Sequence, residues 1–240
     1  DGYVGEDFST TNLSGGALGE RFGIFDSGIL NIDGFDFRVN GVPVSGLDNI
    51  GDERLSFVPP ITGVFSGRLA DGTPFAFSHR TGEDDIYKST IRINLKRSPD
   101  VSGPALIQVP TDDAPWGIGS GQTLMLEDGG SLYRDFQSGA GSTLIVNGGT
   151  VGNSVEAVSS TVTINGGNIQ RIEALLDARI NVAGGNLRNI DSFGPLITAW
   201  HDSEIYMTNG TIQGHVSLLG HSTMTFEGGE ITDRIWVFED

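Results

Sequence analysis

Between residues 144 and 231 three apolar positions return at a fixed phase. The first column is Leu144, Val162, Ile180, Ile205 and Met224, and two residues further on stand Val146, Ile164, Val182, Met207 and Phe226. A two-residue step puts both columns on one face of a short strand. The residues between them, Ile145, Thr163, Asn181, Tyr206 and Thr225, are mainly polar or β-branched, as expected of an outward face. A third column, Val151, Ile169, Leu187, Ile212 and Ile231, follows past a corner on the next strand. Repeat stacked on repeat turns these positions into continuous interior columns.

Glycine marks the corners. Doublets stand at Gly129-Gly130, Gly148-Gly149, Gly166-Gly167, Gly184-Gly185 and Gly228-Gly229, with Asn209-Gly210 filling the one gap. Successive second members lie 19, 18, 18, 25 and 19 residues apart. A sharp corner needs a positive φ, which Gly or Asn reaches without a Cβ clash. A period this short is the mark of a solenoid, and it leaves room for three short strands and their corners. The prediction is an all-β chain, a single-stranded parallel β-helix. The crossover rule favours the right hand, with the left-handed hexapeptide kind as the alternative. The 25-residue step carries an insertion around Asp191-Ser192-Phe193-Gly194-Pro195, read as a loop at one corner.

The same theme opens the chain. Gly15-Gly16 and Asp33-Gly34 are again 18 apart, and residues 1–8 resemble residues 15–22. Residues 1–34 are therefore assigned to N-terminal coils. Over 35–118 the short period is lost while strand signals continue, as in Phe35–Val44, Val64–Phe77 and Ile86–Leu95. Ala70-Asp71-Gly72-Thr73 reads as a hairpin turn. This segment is expected to be an irregular β-rich module or a set of wider coils, before the narrow solenoid of 119–240.

The chain has 240 residues, of which 36 are glycine and 37% hydrophobic. Fourteen Lys and Arg against 31 Asp and Glu give a net charge of −17, which repels phosphate backbones and anionic lipid and excludes nucleic acid as a partner. There is no cysteine, hence no disulfide framework and no thiolate metal site. No run has the apolar length of a membrane span, so membrane insertion is not expected. The chain opens at Asp1 without a signal peptide, which reads as a processed or excised form.

Stretches such as Ser142-Thr143-Leu144-Ile145-Val146-Asn147-Gly148-Gly149-Thr150-Val151-Gly152 resemble the "GSxVNIxGGxVG" repeats of large secreted proteins from marine and environmental bacteria. Residues 37–77 and 119–124 are similar to segments within those chains. The resemblance implies a secreted, extracellular β-solenoid of largely uncharacterised function, and it supplies no catalytic residues.

Chemistry is thinly marked. Enzymes that cut acidic polysaccharides are often parallel β-helices needing a base and a cation beside the substrate carboxylate. His79, Lys88 and Arg92 are the candidates for that role, and a solvated strand face is the simpler account of them. An enzyme is thus not the favoured reading. His201 and His221 lie about one coil apart near a corner and could share a metal with Asp202. Glu83, Asp84 and Asp85 could serve Ca²⁺, although no loop motif accompanies them. No other cofactor is indicated. Trp116, Trp200, Trp236 and Tyr206 could stack on a surface polysaccharide.

The ends carry the remaining signal. A β-helix exposes unpaired strand edges at both ends, which natural solenoids cap. Neither end of this sequence shows a cap. Asp1, Gly2, Tyr3 and Val4 on one side and Ile235, Trp236, Val237 and Phe238 on the other are read as assembly ends of a head-to-tail homopolymer, a non-closing heterologous contact. The favoured function is a subunit or segment of an extracellular fibre or adhesin, and the alternative is a carbohydrate-active β-helix, either a lyase or a glycan-binding module.

Overall fold

The computed structural model describes the chain except residues 1–2, 6–8, 17–21, 26–27, 58–62, 79–84, 88–89, 97–104, 134, 189–195 and 239–240. Every regular element among the described residues is a strand. No helix there is long and apolar enough to cross a membrane. The chain forms two units, Asp1–Gly103 and Pro104–Asp240.

The second unit is a parallel β-solenoid. Its first face is a 7-stranded sheet of Leu106–Val109, Thr123–Leu126, Thr143–Val146, Thr161–Ile164, Arg179–Val182, Glu204–Met207 and Thr223–Phe226. Each strand pairs in parallel with the next, so Leu144 lies on Val162, Val162 on Ile180, Ile180 on Ile205 and Ile205 on Met224. The column from Val146 to Phe226 is in the same register. The second face carries the third expected column, Val151 on Ile169, Leu187, Ile212 and Ile231. A third face completes each coil. Its interior pairs are Val155/Ala157, Ile172/Ala174, Ile197/Ala199 and Val216/Leu218. These columns form one continuous apolar core.

Two departures from the sequence reading concern this unit. The narrow stack begins at Leu106, which already pairs with Thr123, and so starts ahead of residue 119. At the first doublet the positive-φ residue is Gly129 (φ 82°), not Gly130, and the coil step there is Thr123 to Thr143.

The two glycines of the Gly166-Gly167 doublet each admit a close backbone approach. At Gly166 a Cβ would stand 2.3 Å from the Asn147 carbonyl oxygen of the coil beneath. At Gly167, where φ is +78°, it would stand 2.6 Å from the Gly148 oxygen. Backbone approaches backbone here, and no side chain fits between. Where Asn209 replaces the first glycine, its amide reaches Val182 O at 3.4 Å, against 3.0 Å for Gly184 to Ile164 O. The coil yields slightly to admit a Cβ. Beside this corner amides climb the rod, Asn147 Nδ2 donating to Glu127 Oε1 and Asn165 Nδ2 to Asn147 Oδ1, each at 2.9 Å.

The first unit starts as the same kind of coil. Strands β1 (Tyr3–Gly5), β2 (Thr10–Leu13), β3 (Phe22–Phe25) and β4 (Ile29–Val39) form parallel ladders, β1 on β3 and β2 on β4. The chain then leaves the stack. β4 changes partner at Gly34, running on to pair antiparallel with β5 (Val42–Pro43) and β7 (Val64–Leu69). β6 (Glu53–Phe57) precedes β7, and β8 (Pro74–Ser78) closes a hairpin on it. The chain rejoins the stack with β9 (Asp85–Tyr87) on β3 and β10 (Thr90–Leu95) on β4, both parallel. The segment is therefore an antiparallel module inserted into one coil, rather than wider coils. Phe37, Phe65, Phe75 and Phe77 form its aromatic core, with ring centroids 5.1–6.4 Å apart. The hairpin tip is held to the coil by Asp71, whose carboxylate accepts from Gly16 N at 2.7 Å and Thr73 N at 2.9 Å. Burial raises the Asp71 pKa, but the bonds from Thr73 and Gly16 outweigh it and hold the carboxyl below its ordinary value.

Candidate assembly interface

Nothing among the described residues of the second unit pairs with the outer edge of its last coil. Its strands Thr223–Phe226, Glu230–Ile231 and Ile235–Phe238 each pair on one side only. One edge of each is left with free backbone donors and acceptors. The interior columns continue to this edge. Ile180 and Val162 are fully buried in mid-stack, whereas Phe226 in the neighbouring column is 48% exposed, and Met224 and Ile231 are only partly covered. On the third face Ile235 continues the Val216 column and Val237 the Leu218 column. Val237 is 70% exposed, the highest value among the exposed large hydrophobic side chains. An interior position repeated once more than it is covered accounts for all five.

Trp236 and Phe238 are held rather than loose. Trp236 lies 4.7 Å from the His215 ring, with Arg234 over it at 5.5 Å, and Phe238 meets it edge-on at 6.0 Å. Asp233 stands by both Arg234 and His215, 2.8 Å from Arg234 Nε and 3.8 Å from His215 Nδ1. The rim is acidic, with Glu227, Glu230 and Asp233. A symmetric tail-to-tail contact would set these carboxylates against their own copies. The described side chains of β2, Thr10, Thr11, Asn12 and Leu13, are uncharged, and β1 and β2 each pair with one strand only. Tyr3 and Val4 lie on β1, their side chains outside the described residues, as are Asp1 and Gly2.

Among the described residues, the remaining candidates are not brought together into a catalytic or metal centre. His79, Lys88, Glu83 and Asp84 fall outside the described residues, and Asp85 is on β9 with its side chain outside them. Arg92 is exposed on β10. His201 and His221 are out of phase by one residue, since Glu204 pairs with Thr223 and so places His201 level with Gly220. His201 takes up a positive-φ corner (φ 59°), its Nδ1 accepting from Leu176 N at 3.3 Å. His221 instead faces Asp202 at 3.4 Å, with both side chains exposed. No group of three or more metal-binding side chains occurs among the described residues. The acidic pairs Asp52-Glu53 and Asp112-Asp113 contain turn-closing carboxylates: Asp52 accepts from Asp48 N and Asn49 N, and Asp112 from Gln108 N.

The four aromatic candidates occupy separate places. Tyr206 projects from the first face and donates to Glu227 Oε2, a bond that raises its pKa. Trp200 is half-buried at the His201 corner, and Trp236 belongs to the open end. Trp116 stacks on Tyr133, a pairing that the sequence reading did not find. Comparison with protein-family models, curated proteins and solved structures finds no match to this chain.

Proposed function

We propose that this chain is a structural element of an extracellular fibre or adhesin, lengthening head to tail as the open coil of one copy stacks on the open coil of the next. The observation that carries this reading is the last coil, where five interior-type side chains are exposed or only partly covered and three strand edges are unpaired among the described residues. Parallel edges accept a further parallel coil with the same ladder bonds found within the stack. The acidic rim against the uncharged β2 edge favours head-to-tail over tail-to-tail contact. The extracellular setting rests on the likeness of the coils to secreted bacterial repeats. Further coils of one longer chain would cover the same edges without self-assembly, and the test below separates the two.

The test is sedimentation velocity with negative-stain microscopy on the purified chain. Concentration-dependent, linear assemblies are expected, and Val237→Lys should abolish them while leaving the far-UV spectrum unchanged. A chain that stays monomeric at high concentration, or one whose assembly is indifferent to Val237→Lys, overturns the proposal.

A further inference from the structure

One corner of the second unit carries a column of flat side chains unrelated to the ends. The residue that follows the second-face strand is Tyr133 after Leu132, Gly152 after Val151, Gln170 after Ile169, Arg188 after Leu187 and Gln213 after Ile212. Those preceding residues are stacked partners, and Gln170, Arg188 and Gln213 lie one above another, while a bulge between Val151 and Ser154 breaks the register at Gly152. Backbone bonds confirm the alignment, Arg188 N donating to Ile169 O at 2.9 Å and Gln213 N to Leu187 O at 2.8 Å. Trp116 extends the column from the coil below, its ring centroid 4.0 Å from that of Tyr133 at an interplanar angle of 26°. Both rings are nearly half exposed, at 46% and 45%.

The chemistry changes along the corner. Two stacked aromatic rings come first and then Gly152, which puts no side chain above Tyr133. Gln170, Arg188 and Gln213 follow, each a planar group with hydrogen-bond donors. Gln213 Nε2 is also bonded to Asn186 Oδ1 at 3.1 Å, which limits its rotation. Successive coils rise by about 4.8 Å, the spacing of paired strands. That rise is comparable to the length of one pyranose unit in an extended glycan.

We infer that this corner binds a neutral linear polysaccharide lying along the stack. The apolar face of one sugar packs on the Trp116–Tyr133 pair, as amphipathic rings favour. Hydroxyls of the following sugars meet Gln170, Arg188 and Gln213. The net charge of −17 opposes a uronate polymer, which makes a neutral one the occupant. This goes beyond the fibre reading and involves none of the residues at the open end.

Native affinity electrophoresis of the full chain through hydroxyethyl cellulose, with polygalacturonate as the comparison polymer, tests it. Retardation by the neutral polymer is expected, weakened at least tenfold in Trp116→Ala and in the double variant Gln170→Ala/Gln213→Ala. Retention of the far-UV spectrum keeps folding separate from binding. No retardation, equal retardation of both variants, or preference for the uronate polymer would each overturn the inference.

Discussion

Replacing Gly167 by alanine tests the doublet argument most sharply, because a control isolates its steric part. Gly121 and Gly167 both lie in the second unit with nearly the same backbone, at φ +76° and +78°. An alanine at either one pays the left-handed cost of about 1–2 kcal/mol. At Gly121 the new Cβ meets nothing within 4 Å. At Gly167 it meets Gly148 O at 2.6 Å and Gly149 O at 2.9 Å. The Gly149 oxygen accepts the Asn168 amide, so relief of the clash must disturb that rung. Overpacking of this kind adds about 1–3 kcal/mol. Gly167→Ala should therefore destabilise by about 2–5 kcal/mol and Gly121→Ala by about 1–2 kcal/mol. Repeat arrays do not always unfold in one step, so urea midpoints should be read beside native-state hydrogen exchange at Asn168. Equal effects of the two substitutions would refute the claim that coil-to-coil contact, rather than φ alone, dictates the second glycine.

Other outcomes follow from the same geometry. Ser159 is held at φ +46° without being glycine, so Ser159→Gly should raise stability by about 1 kcal/mol in thermal denaturation. In one interior column, Ile180→Ala should cost about 2–5 kcal/mol in urea unfolding, and Met224→Ala distinctly less, because only Ile180 is fully enclosed. Asp71 has a depressed pKa in the folded state, so its bonds contribute stability above its unfolded value and lose it as pH falls through the folded one. Acid titration of the first unit should thus show a loss of amide protection at Gly16 below about pH 4. Asp71→Asn should remove that dependence.

Much of the second unit was legible because its signal is local and repeated. Leu144, Val146 and Val151 lie within eight residues of one another, and the glycine corner between them holds their spacing constant. The third face escaped notice for two reasons. Its interior positions alternate with alanine, as in Val155/Ala157 and Ile172/Ala174, which gives weak apolar contrast. Its distance from the glycine corner also varies, since the long step falls between Leu187 and Ile197, at the corner that precedes this face. The inserted module was hidden differently. β4 continues as one strand from parallel into antiparallel pairing at Gly34, with a bulge at Asp36, so no loop marks the departure. At the open end Ile235–Phe238 was visible as an apolar run. The contribution of Phe226 and the stacking of Tyr133 on Trp116 depend on coil-to-coil register, which no single repeat displays.

Coils stacked in register place defined residues side by side, and a cysteine-free chain allows a direct cross-linking test. Thr163 and Asn181 are outward partners on adjacent strands, while Thr163 and Tyr206 are separated by one more coil. Paired strands lie about 4.8 Å apart, within disulfide reach, and alternate strands about twice that, beyond it. Under mild oxidation the Thr163→Cys/Asn181→Cys protein should form an intramolecular disulfide by mass spectrometry, and Thr163→Cys/Tyr206→Cys should not. No cross-link in the first protein, or equal cross-linking in both, would contradict the stacked solenoid.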